Sequence, residues 1–269
     1  MSSWLFIPGN NLKMLSKIRT LSSDCFIIDL EDAVPDIEKD LARKNVKGFL
    51  EEPLKQKEIY VRINSFESKE FKKDIEAIPS SAVKGLVLSK CEASEEVDEV
   101  SSLTNLKIIP LIESLAGYTN LEEILSHPNV ERVAFGSIDM AHNLKIRSGD
   151  VNENPLLNEM RLQISLCSKI FGKQNPIDSP LIQIDDLQKL QSECEYARKI
   201  GFSGKLSIHP KQLEVIQTVF GYSNSEIQLA KEIVERYEGS KIKTFSHKSV
   251  MVDKPVYLAM KDILVSSSK

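Results

Sequence analysis

No apolar run in this sequence approaches the roughly 20 residues needed to cross a bilayer. The opening MSSWLFIPGNN has an apolar run of only four residues before Pro8, too few for the apolar core of a secretory signal. The expected compartment is the cytoplasm. Cysteine is sparse: Cys25, Cys91, Cys167 and Cys194 are scattered with no C-x-x-C pair, which argues against a zinc site. Cys167 and Cys194 fall on apolar helical stripes and read as small buried hydrophobes. Neither sign of charge dominates. Lys and Arg total 35 against 39 Asp and Glu, a net charge of -4. That balance excludes a global attraction to nucleic acid or anionic membrane, so an anionic ligand must be met by local basic groups. Also missing are a G-x-G-x-x-G or P-loop fingerprint, an H-E-x-x-H pair, a nucleophile elbow, a Cys/His arrangement and any linker-like break in composition.

What is present is a repeated alternation. Short β-type runs occur at SWLFIPG, CFIIDLED, EIYVRIN, GLVLSK, KIIPLIES, RVAFGSID, NPIDSP and GKLSIHP, with amphipathic helical segments between most of them. Pro35-Asp36 opens one such helix, with Ile37, Leu41, Val46 and Phe49 on one face. Thr119 and Glu122 have capping-box spacing, and Asn154-Pro155 reads as a cap followed by a first-turn proline. Asp185 or Asp186 starts another helix that Gly201 stops. Eight nearly continuous apolar strands interleaved with helices imply a parallel sheet covered on both faces. The eightfold count favours a TIM (β/α)8 barrel over an open doubly wound sheet. The barrel is expected over residues 1–220, with a helical C-terminal extension over 221–269.

Catalytic groups of such a barrel lie at the C-terminal ends of its strands. Here those ends read Pro8-Gly9-Asn10, Asp29 to Asp32, Arg62-Ile63-Asn64, Ser89-Lys90, Glu113-Ser114, Ser137-Ile138-Asp139, Asp178-Ser179 and His209-Pro210. Carboxylates crowded around one mouth repel unless a cation sits among them. Hard oxygen ligands suit Mg2+ or Mn2+, with coordination positions left for water or substrate. Glu113 and Asp139 are the candidate ligands, with Glu31 and Asp32 ordering metal-bound waters. The plainer reading of any single carboxylate is a helix cap or an ion-pair partner.

The segments LFIPGN, DLEDAVP, VRIN, PLIES, AFGSIDM, IHPKQ and MVDKP occur in the order and spacing of the citrate lyase β-subunit-like proteins. The chain thus resembles, over essentially its whole length, the HpcH/HpaI aldolase group of the phosphoenolpyruvate/pyruvate superfamily. The resemblance implies a TIM barrel, a Mg2+ held by Glu113 and Asp139, and a substrate site at Arg62, Gly136, Ser137 and Ile138. It implies carbon–carbon lyase action on a 3-hydroxyacyl thioester of the citryl, malyl or citramalyl type, giving a 2-oxo acid and an acyl-CoA or acyl-carrier thioester. A thioester hydrolase and a non-autonomous citrate lyase subunit are the alternatives.

The residue types suit that chemistry. A Lewis acid polarises the oxo-acid carbonyl, and Arg62 offers a planar fork to a carboxylate, its alternative being an ion pair with the DLED acids. Lys90 reads as a neutraliser of the acidic rim rather than a Schiff-base lysine. The PGNN segment offers amides beside a helix start as an anion cradle. An arginine commonly follows PGN in the family, where this chain has Asn11, then Lys13 and Lys17; this counts against an ordinary coenzyme A substrate. Ser89 likewise replaces a commoner proline. His209 either holds a loop or acts in catalysis, whereas His142 reads as a solvent-facing helix residue and His247 as part of a polar loop. Asp253, before Lys254-Pro255, reads as a helix cap. The resemblance adds that the extension packs on a neighbouring subunit, so a homotrimer is expected with Asp253 as an acid/base acting in trans.

Overall fold

In the computed structural model, which describes residues 2–52, 57–147, 151 and 154–267, all eight apolar runs are strands. They are β1 (Ser3–Pro8), β2 (Cys25–Asp29), β3 (Glu58–Ile63), β4 (Gly85–Leu88), β5 (Lys107–Ile112), β6 (Ala134–Phe135), β7 (Ile177–Asp178) and β8 (Gly204–Ser207). Each pairs in parallel with the next, and β8 returns to β1 through Ser3↔Lys205 and Trp4↔Leu206. The closed ring is a TIM barrel. Side chains alternate across a strand, so one parity fills the interior, with Trp4, Ile27, Tyr60, Val87, Leu111 and Leu206 among its members. Fully burying an aliphatic side chain of this size contributes about 1.5–3 kcal/mol. Two residues further along, the same parity places Asp29, Arg62, Ser89, Glu113, Gly136 and Ser179 one layer above this apolar plug. A dry core therefore underlies a polar mouth.

The outer helices are α1 (Leu12–Lys17), α2 (Lys39–Leu50), α3 (Phe71–Ala77), α4 (Ser94–Leu103), α5 (Leu115–Thr119), α6 (Leu121–Ser126), α7 (Ser137–Asn143), α8 (Pro155–Ile170) and α9 (Leu187–Lys199), with α10 (Leu213–Phe220) after β8. Asn154 caps α8 by accepting from the Leu156 and Leu157 amides, and Asp186 caps α9 through Lys189. Two expectations are corrected. A single 3₁₀ turn at Asp36–Glu38 precedes α2 and shifts its phase, so Lys39, Ala42, Arg43, Val46 and Leu50 face inward. Ile37 and Leu41 are left 94% and 50% exposed. The Thr119/Glu122 capping box does not form, because Ser114 has already opened α5 and the Thr119 hydroxyl donates back to the Leu115 carbonyl.

By internal contacts the chain divides into two units, Met1–Gln217 and Thr218–Lys269. In the second, a capping box between Ser223 and Glu226 opens α11 (Asn224–Gly239), and α12 (Lys254–Ser267) ends the described chain. Between them lies a hairpin, β9 (Phe245–His247) and β10 (Val250–Val252), which the expected helical extension did not contain. Its turn places Lys248 and Ser249 at φ 46° and 67°, positions normally marked by Gly or Asn. Without those residues the turn left no signal, and His247 is a strand residue paired with Glu232 at 2.8 Å rather than part of a loop. Tyr237 and Tyr257 stack with centroids 4.1 Å apart, joining α11 to α12. Among the described residues no helix is long and apolar enough to cross a membrane.

Candidate active site

Strand β5 ends by turning Glu113 into the mouth, where it is 3% exposed. The Lys90 amide donates to Glu113 Oε1 at 2.8 Å. Gly136 lies against the other oxygen: a Cβ there would stand 2.7 Å from Oε2 and 2.5 Å from Glu113 Cβ. A side chain at 136 would therefore expel the carboxylate. Asp139 comes from the first turn of α7, just past β6. Burial, and next the charge of Asp139, push Glu113 up to about 8, against the pull of Arg62. Buried Glu113 and half-buried Asp139, side by side with a surplus of negative charge, fit a divalent cation. Among the described residues no group of three or more His, Cys, Asp or Glu could hold a metal. Glu113 and Asp139 would thus supply two ligands, leaving the remaining positions to water or substrate.

The β2 end is braced from every side. Buried Asp29 accepts the Glu31 amide at 2.9 Å and the Ala33 amide at 3.2 Å, which curls the chain over the strand end. It also accepts Arg62 through Nε at 2.8 Å and through Nη2. Arg62 Nη1 lies 3.1 Å from Glu31 Oε2, and the guanidinium stacks 4.7 Å from the Phe6 ring. The DLED ion pair is therefore formed, and the fork that was to grip a substrate carboxylate is engaged by Asp29. What Arg62 can still offer is the Nη1 edge. Lys90 Nζ binds Glu31 Oε1 and lies 3.4 Å from Asp32 Oδ1. Its ammonium is held above the ordinary lysine range; burial works against this, but Glu31, Asp32 and Glu113 outweigh it. Burial pushes Glu31 up despite Arg62 and Lys90. Lys90 itself sits at φ 49°, a left-handed conformation costing a non-glycine residue roughly 1 kcal/mol. That twist sends its amide to Glu113 and its ammonium to Glu31. Neighbouring Ser89 donates to the Ile63 carbonyl at 2.8 Å, a bond the commoner proline lacks.

Other expectations change. Asp178 does not reach the mouth: one residue past inward-facing Ile177, it points to the helix layer. There Arg161 and Lys205 hold it at 2.8 and 2.6 Å, beside a cavity of about 210 Å3 between α8 and α9. Ser179 is the inward residue, and its hydroxyl accepts the Ser137 amide at 3.0 Å. Since the Gly136 amide binds the Ile112 carbonyl at 2.9 Å, the amides of Gly136 and Ser137, two of the expected substrate-site residues, are already committed. Ile138, in the first turn of α7, retains a donor without a helical partner. The PGNN cradle is likewise occupied: the Gly9 amide binds the Asp29 carbonyl, the Asn11 amide binds that of Pro8, and the Asn11 side chain caps α1. His209 holds its own loop, Nδ1 accepting the Lys211 amide at 3.2 Å, and His142 is exposed. Asp253 caps α12, with Oδ1 accepting the Val256 amide at 3.1 Å.

The family model for HpcH/HpaI aldolase/citrate lyase matches residues 2–210. The chain belongs to that family. A (3S)-malyl-CoA thioesterase of Cereibacter sphaeroides is 31% identical over 88% of this chain and 82% of its own length. The mitochondrial citramalyl-CoA lyase of Mus musculus is 29% identical over 97% and 84%. Among solved structures, CitE of Mycobacterium tuberculosis, in complex with magnesium, acetoacetate and coenzyme A, is 25% identical, with a TM-score of 0.80 over 100% of this chain and 98% of that one. Beside Ile138 the family barrel here carries a cleft of about 330 Å3. Ile138, Ala141, Ile146, Pro180 and Ile182 wall it, and His142 and Gln183 are polar members.

Proposed function

We propose that the protein is a Mg2+-dependent carbon–carbon lyase acting on a 3-hydroxyacyl thioester of the citryl-, malyl- or citramalyl-CoA type. It yields a 2-oxo acid and an acyl thioester, or joins them in reverse. The carrying observation is Glu113: a buried carboxylate beside Asp139 that accepts the Lys90 amide and, among the described residues, has no side-chain cation bound to it. Mg2+, or Mn2+ in its place, when held by these two acids, supplies Lewis-acid polarisation of the oxo-acid carbonyl. Glu31 and Asp32 order water around that position. Arg62 presents Nη1 to a substrate carboxylate, and the Ile138 amide is a second donor at the same mouth. The apolar cleft along Ile138 and Ile182 receives the thioester side. Cleavage breaks the carbon–carbon bond as the hydroxyl proton passes to a base, converts the hydroxyl-bearing carbon to a carbonyl and leaves the electron pair on the carbon next to the thioester, to which a proton must then be returned.

Asp253 is the acid assigned to that protonation, from a neighbouring copy in a homotrimer. Its Oδ2 remains available while Oδ1 caps the helix. Exposed apolar residues support an assembled state. Leu12, Phe66, Leu115, Ile182 and Ile208 stand in loops or first turns after five barrel strands, and the second unit exposes Ile242, Met251, Leu258 and Val265. The compartment assigned is the cytoplasm, in keeping with Cys91, Cys167 and Cys194, which are buried free thiols. Asp253→Asn should lower turnover by about 10²-fold or more with Mg2+ binding intact. Mixing it with Glu113→Gln should restore some activity, and full activity of Asp253→Asn leaves only the cap.

The deciding experiment is a panel of hydroxyacyl-CoA thioesters with Mg2+ and identification of every product. A 2-oxo acid plus an acyl thioester is the expected result. The second reading, thioester hydrolysis, is favoured by the likeness to the malyl-CoA thioesterase and is established by release of a free hydroxy diacid. Turnover by the isolated chain excludes a subunit that requires an acyl-carrier partner.

A further inference from the structure

Helix α2 buries two cations, and their partners differ. Arg43 meets three carboxylates: Asp40, Glu70 at 2.7 Å and Asp74 at 2.9 Å. Lys39, 6% exposed, has no carboxylate within ion-pair distance among the described residues. Its ammonium donates to two backbone carbonyls, Leu30 and Glu31, each at 3.0 Å. Burying an ammonium against carbonyls alone is expensive, so the position calls for a compensating role.

Those two carbonyls belong to the turn that carries Glu31 and Asp32 over the end of β2. The Leu30 carbonyl also accepts Asn64 Nδ2 at 2.9 Å, and that of Glu31 accepts the Val34 amide at 3.0 Å. Asp29 holds the amide side of the same turn. Lys39 therefore completes the bracing from below, while Lys90 and Arg62 reach the carboxylates from the mouth. The 3₁₀ turn at Asp36–Glu38, which throws Ile37 out to solvent, sets the phase that sends Lys39 inward.

We propose that Lys39 is a positioning residue: its buried ammonium locks the Leu30 and Glu31 carbonyls and thereby fixes the Glu31 and Asp32 carboxylates at the mouth. It touches no substrate and acts only through the turn. The kinetic part of the test rests on the lyase reading above; the exchange part does not.

Lys39→Met keeps most of the unbranched stem and removes charge and donors, whereas Lys39→Arg keeps both. Amide hydrogen exchange is followed across the full chain, with calorimetric Mg2+ affinity, kcat and KM measured beside it. In Lys39→Met, exchange at residues 30–34 should accelerate by about tenfold or more while the rest of the barrel keeps its protection. Mg2+ affinity or kcat should fall by about 10- to 100-fold, with KM little changed. Lys39→Arg should recover most of both. Unaltered exchange at residues 30–34, or an equal rise throughout the barrel, overturns the proposal. If Lys39→Met does not fold, Lys39→Gln, which retains a neutral donor, is judged by the same outcomes. Should the unaltered chain turn over no thioester, the lyase reading falls while the exchange result still decides the role of Lys39.

Discussion

Glu113 and Asp178 are both strand-end carboxylates, 3% and 1% exposed, and the barrel treats them in opposite ways. Burial works to raise both. Asp178 is nevertheless held at about 2, because Arg161 and Lys205 face it from the helix layer. Glu113 is pushed up to about 8 first by its burial and then by the negative charge of Asp139, against the pull of Arg62. One acid has its counter-ions built into the fold, and the other lacks them. Strand phase creates the difference, since a side chain one position along a strand points to the opposite face.

The largest effect that sharpens this contrast is on turnover. Glu113→Gln keeps size and removes a charged ligand, so kcat should fall by roughly 10³-fold, equivalent to several kcal/mol of lost electrostatic stabilisation. The fold should survive, and Mg2+ should cease to raise the melting temperature. Asp178→Asn should behave the other way. It strips a partner from two buried cations and should cost about 3–5 kcal/mol in denaturant unfolding, with Mg2+ affinity retained. If Asp178→Asn abolished Mg2+ binding while leaving stability intact, the two acids would have been assigned to the wrong classes. Arg62→Lys is smaller. A single ammonium cannot span Asp29 and Glu31 together, so kcat/KM should drop by the equivalent of roughly 1.5–3 kcal/mol. Unchanged kinetics would make Arg62 purely a brace for the β2 turn.

Much of the contrast was legible in the chain. Eight apolar runs set the barrel, and the acids ending PLIES and FGSID stood out because a buried-looking strand rarely ends in charge. Asp178 was grouped with them because a two-residue strand, Ile177–Asp178, offers almost no alternation from which to read its phase. Lys39 resembled any solvated lysine until the 3₁₀ turn rotated α2 and buried it. The left-handed turn at Lys90 has no glycine to announce it, and the Ser179–Ser137 bond joins residues 42 apart. The Gly9 amide of PGNN looked available because its acceptor, the Asp29 carbonyl, becomes a neighbour only when β1 and β2 pair.

As the metal ligand proposed above, Glu113 would exchange a proton for the cation. A carboxyl raised from 4.5 to about 8 in the folded chain binds its proton more tightly than in the unfolded chain. The metal-free fold therefore loses stability as pH rises from about 4.5 to about 8, and metal must displace that proton in the same window. Calorimetry of Mg2+ binding across pH 6 to 8.5, in buffers of different ionisation enthalpy, measures this directly. The account predicts release of about one proton per ion below pH 8, with affinity rising by up to tenfold per pH unit and levelling above it. Affinity independent of pH with no proton released, or unchanged in Glu113→Gln, would contradict it.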